Sequence, residues 1–328
     1  MSVRVVPRGI RMILEIQHET AIEYSRPVSE WLCELRMEPV SDGRQRCHSF
    51  RISVGQPTTI SSYLDGFGNR VHHFNLLRPA TTLRILAASV VETEEAVVEP
   101  AESAAAFADD ATPEGWHLPL ETLEYLPLRG PARGSPLLDP LLAHLRPQPR
   151  TAVGAWVQQV AEFIRGRFEY ARDVTDASSP IDHLLARGKG VCQDFTHLMI
   201  AVLRSFGVPA RYVSGYIHRP NKESQSHAWC EVWLPDVGWT GFDPTNGCAV
   251  HGHFVKTAVG RDFTDVPPNK GVYRGAGEER INVRVATRTL DRLPSLAWHD
   301  ELAPLDAPVH SVLRTAPVYG DDPEAQQQ

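Results

Sequence analysis

The period of the apolar residues changes once along this chain, and that change sets what it can fold into. Up to about residue 94 the side chains alternate as on pleated strands: Val71, His73 and Asn75 share one face, and His72, Phe74 and Leu76 the other. From Thr151 the period lengthens to that of a helix, with Val153, Trp156, Val157, Val160, Ile164 and Phe168 on one face. Two such regions within 328 residues predict two domains rather than one core.

The first region, 12–94, reads as an all-β domain. Candidate strands are Ile13–Gln17, Trp31–Met37, His48–Val54, Thr58–Leu64, Arg70–Leu76 and Thr82–Val91, with a glycine turn at Asp65–Asn69. The first eleven residues read as an extension ahead of Met12. Residues 95–150 are rich in Pro, Ala and Leu and read as a connector, with one helix near Leu137–Leu145.

Residues 151–290 form the second predicted domain, and 291–328 a tail. After the helix from Thr151, Ser179 is expected to cap a second helix, with Pro180 in its first turn, Asp182 completing a capping box and Gly188 at its end. A third helix carries an apolar stripe of Phe195, Leu198, Met199, Val202, Leu203 and Phe206, stopped by Gly207 and Pro209. A strand at Ala210–Ile217 and a hairpin of Ala228–Leu234 with Gly238–Phe242 follow. Helices first and an antiparallel sheet afterwards predict an α+β fold.

Thirty-three Lys and Arg against 40 Asp and Glu leave a net charge of −7, which argues against a nucleic-acid partner held by phosphate contacts and against a polybasic membrane anchor. No apolar run approaches the ~18 residues of a spanning helix, and no secretory signal is legible. Five scattered cysteines, an odd number, suggest free thiols and a cytoplasmic location. Cys33, Cys47 and Cys230 read as buried and inert.

Cys192 opens the third helix behind Gly188-Lys189-Gly190. Helix-start amides and the dipole favour a thiolate, and the Cys192 N–H is placed to meet a developing oxyanion. His227 and Asp243 lie on the hairpin, and two registers are open. Pairing Leu234 with Trp239 puts Asp243 on the wrong face from His227. Pairing Trp233 with Trp239 puts Asp243 opposite Trp229, diagonal to His227 and within reach of it.

Gly190-Val191-Cys192-Gln193-Asp194-Phe195, then Ser226-His227-Ala228-Trp229, then Phe242-Asp243-Pro244-Thr245 resemble, in order and spacing, the bacterial transglutaminase-like superfamily. Gln17-His18-Glu19-Thr20 through Tyr24-Ser25-Arg26-Pro27 resembles the opening of the β-rich domain that accompanies this subfamily. Ala258–Pro268 resembles its segment after the core, with Phe263 and Thr264 where tyrosine and alanine are commoner. The resemblance implies a papain-like triad: Cys192 as nucleophile, His227 as base and acid, Asp243 as the residue that orients the imidazole. It implies a peptide or protein substrate attacked at an amide, with hydrolysis preferred and transamidation as an alternative. A non-catalytic peptide-binding module on the same fold is the other alternative.

Tyr170 and Trp229 are candidate substrate contacts. His197 and Asp194 read as structural, and Gln193 is given no role. The spacing of Cys248, His251 and His253 matches no standard zinc site, so neither metal nor organic cofactor is expected for a chemistry that the triad supplies alone.

Overall fold

One strand organises the first domain. In a computed structural model that describes residues 11–94, 105–171, 179–220, 225–235, 237–294 and 310–314, β1 runs from Arg11 to Leu35. The sequence suggests two strands here with a turn between them. The structure joins them into one strand whose pairing with β5 (Ala80–Glu94) slips between Glu23 and Val28, around Pro27. Proline cannot donate to a ladder, and the strand exchanges partners at that point. Its first half pairs with β5, and its second half with β4 (Arg70–Leu76), to which β3 (Ser61–Leu64) is joined. β2 (Gln45–Val54) pairs with β5 on the other side.

The connector carries α1 (Asp139–Leu145), close to the expected helix. Residues 95–104 of the connector, the first ten residues and most of the predicted tail lie outside the described residues. The second domain holds α2 (Val153–Arg167), β6 (Glu169–Tyr170), α3 (Ile181–Arg187), β7 (Lys189–Gly190) and α4 (Cys192–Ser205). The predicted cap of α3 is corrected. Pro180 rather than Ser179 is the N-cap residue, in extended conformation, and its side chain makes no capping bond. Gly188 ends α3 with a left-handed φ of 70°, a conformation that glycine adopts without steric cost.

The sheet of the second domain has five strands in the order β11 (Cys248–Ala249), β10 (Gly238–Asp243), β9 (Gln225–Leu234), β8 (Ala210–Ile217), β12 (Phe254–Gly260). α4 buries Phe195, Leu198, Met199, Val202 and Leu203 against Ala210, Tyr212, Ala228, Cys230 and Val232 of this sheet.

The chain then returns to the first domain. β13 (Asn269–Arg274) and β14 (Glu279–Leu290) both pair with β1, and β15 (His310–Arg314) pairs with β14. The sequence-based boundaries put 269–290 with the catalytic domain and 310–314 in a tail. A period of two announces a strand but not the sheet that accepts it.

The domains share a core in which Leu14, Ile16, Val91 and Val285 pack on Tyr216 and Val255. Strand β12 lies at the end of its sheet, and two carboxamides from the first domain occupy its outer backbone groups. Gln45 Oε1 accepts from the Lys256 N–H at 2.8 Å while its Nε2 donates to the Lys256 carbonyl at 2.9 Å. Asn69 does the same at Val259, with both bonds at 2.8 Å. Each amide satisfies one donor and one acceptor that an edge strand otherwise leaves unpaired.

Candidate active site

Cys192 is the first residue of α4. The Val191 N–H before it donates to Asp194 Oδ2 at 2.8 Å, which caps the helix and accounts for the buried Asp194. A Cβ on Gly190 would stand 2.8 Å from that carboxylate, so this position needs glycine. The first bond along the helix ladder is Phe195 N–H to the Val191 carbonyl at 3.1 Å. The amides of Cys192 and Gln193 therefore face out of the positive end of the helix.

The hairpin adopts the second of the two registers open to it: Trp239 pairs with Trp233 and Phe242 with Cys230. Gly238 makes this possible with a φ of 84° beside the turn. Asp243 is thereby brought to His227, whose Nε2–H donates to Asp243 Oδ2 at 2.8 Å. The Cys192 thiol lies near enough to the same imidazole to favour its charged form. With Nε2 committed to the carboxylate, Nδ1 is the atom left for sulfur.

Asp243 is fully buried and well supplied with donors. Oδ1 accepts from the Thr245 N–H at 2.8 Å and the Asn246 N–H at 3.3 Å, and Oδ2 also accepts from Asn246 Nδ2. Burial alone would neutralise both partners. Asp243 and the thiol outweigh it for His227, whose pKa is raised, and His227 and Asn246 outweigh it for Asp243, whose pKa is lowered. An imidazolium beside a carboxylate is the form that this pocket favours.

Asn246 has no role in the sequence reading. Its only signal there is a carboxamide three residues beyond the predicted aspartate, close enough to fold back on it. Trp229 is placed differently from expectation. It is 1% exposed, its ring stacked behind His227 at 6.3 Å and edge-on to Phe254 at 5.4 Å. It backs the imidazole rather than lining an open cleft. Gly215, paired with His227 across the sheet, makes room for it, since a Cβ there would lie 2.7 Å from the indole.

Tyr170 is 43% exposed, pairs in parallel with Gly190 and rests edge-on against Phe195 at 6.3 Å. That places it on the rim beside Cys192. His197 is packed: it lies 5.0 Å from the Tyr212 ring, its Nε2 accepts from the Phe263 N–H, and burial depresses its pKa to about 3. Burial raises Cys33 and Cys47 to about 12 and Cys248 to about 11, which leaves them protonated at neutral pH.

Comparison with known proteins agrees with this geometry. Residues 146–244 match the transglutaminase-like superfamily, and residues 14–92 match the bacterial transglutaminase-like N-terminal region. An uncharacterized protein of Mycobacterium leprae is 34% identical over 83% of this chain and 97% of its own length. The chain belongs to the bacterial transglutaminase-like superfamily. An uncharacterized Mycobacterium tuberculosis member is 31% identical over 82% of this chain and 90% of its own. A Pseudomonas aeruginosa protein-glutamine gamma-glutamyltransferase is 34% identical, over 37% of this chain and 19% of its own length. The fold of this superfamily member matches the crystal structure of a candidate cysteine protease from Cytophaga hutchinsonii, with a TM-score of 0.70 over 94% of this chain and 99% of that one, at 19% identity.

Proposed function

We propose that this protein is a thiol acyl-transfer enzyme acting on peptide or side-chain amides, and that it works chiefly as a hydrolase. The observation that carries the reading is the buried His227–Asp243 bond, with Cys192 at the start of α4 close enough to favour the charged imidazole. His227 Nδ1 takes the thiol proton and the sulfur attacks the amide carbonyl, forming the S–C bond. The Cys192 N–H at the helix start is directed at the developing oxyanion. The imidazolium returns the proton to the leaving nitrogen as the C–N bond breaks, and water then cleaves the thioester.

The partner is a peptide or protein substrate, and the five free thiols favour a cytoplasmic site of action. The likeness to a gamma-glutamyltransferase favours a second outcome, in which an amine in place of water resolves the acyl-enzyme.

The test begins with iodoacetamide near neutral pH, followed by peptide mapping. Cys192 should react far faster than an unperturbed thiol of pKa ~8.5, and His227→Ala should abolish that advantage. Equal, slow rates in both proteins would point instead to a binding module. With a cleavable amide in hand, Cys192→Ala should remove all turnover, and added primary amine should leave free ammonia or carboxylate as the main product. Incorporation of the amine into product would select transamidation.

A further inference from the structure

We propose that the first domain sets the working position of the His227 imidazole, and that Phe254 is the positioning residue through which it does so. The proposal rests on the acyl-transfer reading and gives the β-rich domain a part in that reaction.

His227 has aromatic neighbours on two strands. Trp229 follows it along β9, with ring centroids 6.3 Å apart. Phe254 comes from β12, its ring 6.0 Å from the imidazole and tilted by 46°. The two rings meet each other edge-on at 5.4 Å, across the intervening strand β8. On β8, Val213 pairs with Trp229, Gly215 with His227 and Ile217 with Phe254, so Gly215 sits midway along the diagonal from one ring to the other. Having no side chain, it lets the rings close over it, and Val213 and Ile217 pack into the same apolar cluster. Phe254 is 4% exposed and His227 6%. The His227–Asp243 bond is thereby kept in a dry pocket, where it is electrostatically stronger than in water.

Phe254 is the first residue of an end strand, which its own sheet pairs on one side only. It follows a turn in which its N–H donates to the His251 carbonyl at 3.0 Å. The first domain supplies the remaining anchors. Ahead of Phe254, the buried Thr93 of β5 donates from Oγ1 to the Gly252 carbonyl at 2.6 Å. Beyond it, Gln45 takes both backbone groups of Lys256, and the Val40 N–H adds a 3.0 Å bond to the same Lys256 carbonyl. Phe254 stands midway between these two attachments. Anchors on both sides of one residue fix where its ring stands, beyond keeping it buried.

The chemistry is sensitive to that placement. A misplacement of about 1 Å, caused away from the reacting atoms, costs on the order of 100-fold in rate. An imidazole that drifts from Asp243 holds the Cys192 proton less well, and less of the thiol is ionised for attack. Phe254 acts only through His227, and the covalent steps are unchanged.

Two measurements on the full chain test this. The first is the rate of Cys192 alkylation by iodoacetamide near neutral pH. Phe254→Leu keeps the position apolar but removes the ring, and should slow the reaction about tenfold. Thr93→Val keeps its shape but loses the hydroxyl, and should slow it about threefold, while Thr93→Ser restores the donor and should react at the native rate. The second is the low-field proton resonance of the His227 Nε2–H, identified by its loss in His227→Ala. It should broaden through faster exchange with water in Phe254→Leu and keep its native width in Thr93→Ser. Its absence from the native spectrum would mean that the bond is open to water, and would count against the proposal. A purely structural role would lower the urea midpoint of the variants and leave both readouts native, which overturns the proposal. So does a native alkylation rate in Thr93→Val, which alters neither ring. Slow alkylation of the native protein would instead break the acyl-transfer reading itself.

Discussion

Strand β9 carries two buried charged groups, His227 and Glu231, four residues apart, and the protein treats them in opposite ways. Glu231 is saturated. Arg211 meets its Oε2 through Nε and Nη2 at 2.8 and 2.6 Å, and Lys256 Nζ reaches Oε1 at 2.8 Å. Arg211 also stacks 4.1 Å over Trp239, and Lys256 is shared with Asp42 of the first domain at 2.9 Å. Burial works against the Glu231 charge, but Lys256 and Arg211 hold its pKa down at about 2. His227 has one anionic partner, Asp243, and the Cys192 thiol near enough to favour its charge. A charge with two counterions has little left to give. A charge with one counterion and one reactive neighbour can pass a proton. The difference teaches that burial alone does not mark a working residue; the unfilled side does.

That contrast can be broken most severely at Glu231. Glu231→Ala leaves buried Arg211 without its carboxylate and Lys256 with Asp42 alone, and should cost about 3–5 kcal/mol of unfolding free energy. Urea titration measures it, and a loss under about 1 kcal/mol would mean that solvent already screens the network. His227→Ala should cost less stability while abolishing fast Cys192 alkylation.

Asn246 probes the triad's supporting side. Asn246→Ala removes the Nδ2 donor from Asp243 while the Thr245 amide stays in place. A hydrogen bond to a charged group is worth about 1.5–3 kcal/mol, so kcat should fall at least tenfold with a smaller change in KM. An equal rise in KM with kcat unaffected would assign Asn246 to substrate binding instead.

The smallest effect expected is the pH dependence of stability, and its sign separates the two sites. Glu231 is depressed below its unfolded value of about 4.3, so its contribution is complete above that value and is lost as pH falls toward about 2. His227 is raised above its unfolded value of about 6.5, so its contribution is complete below that value and is lost as pH rises through the higher folded value. Unfolding free energy against pH should lose its acid limb in Glu231→Gln and its alkaline limb in His227→Ala, each change amounting to about 1–2 kcal/mol over the measurable range. Interchanged limbs would reverse the assignment.

Much of the site is legible in the chain itself. The stripe Phe195–Phe206 announces α4 and so puts Cys192 at its start, and strand β8 falls on the predicted Ala210–Ile217. These are local properties: helical period, glycine stops and alternation all act within a few residues. The hairpin is only half legible. Both registers satisfy the alternation, and the turn at Gly238 selects between them. Asn246 and the burial of Trp229 were harder still, because each depends on which side chain a neighbouring strand leaves in the way.

By itself, then, the sequence determined the α+β class, the helices of the second domain, and the identity and local seating of a cysteine, a histidine and an aspartate with the right chemistry. Only the tertiary structure decided that the histidine and the aspartate meet and that Asn246 braces the aspartate. It alone decided that β13 and β14 return to the first domain, and that Gln45 and Asn69 close the edge of β12. The physical reason is range. Periodicity and capping are written in neighbours along the chain, whereas register, sheet membership and hydrogen-bond partners are settled between segments far apart in sequence, where burial leaves each polar group to find its partner.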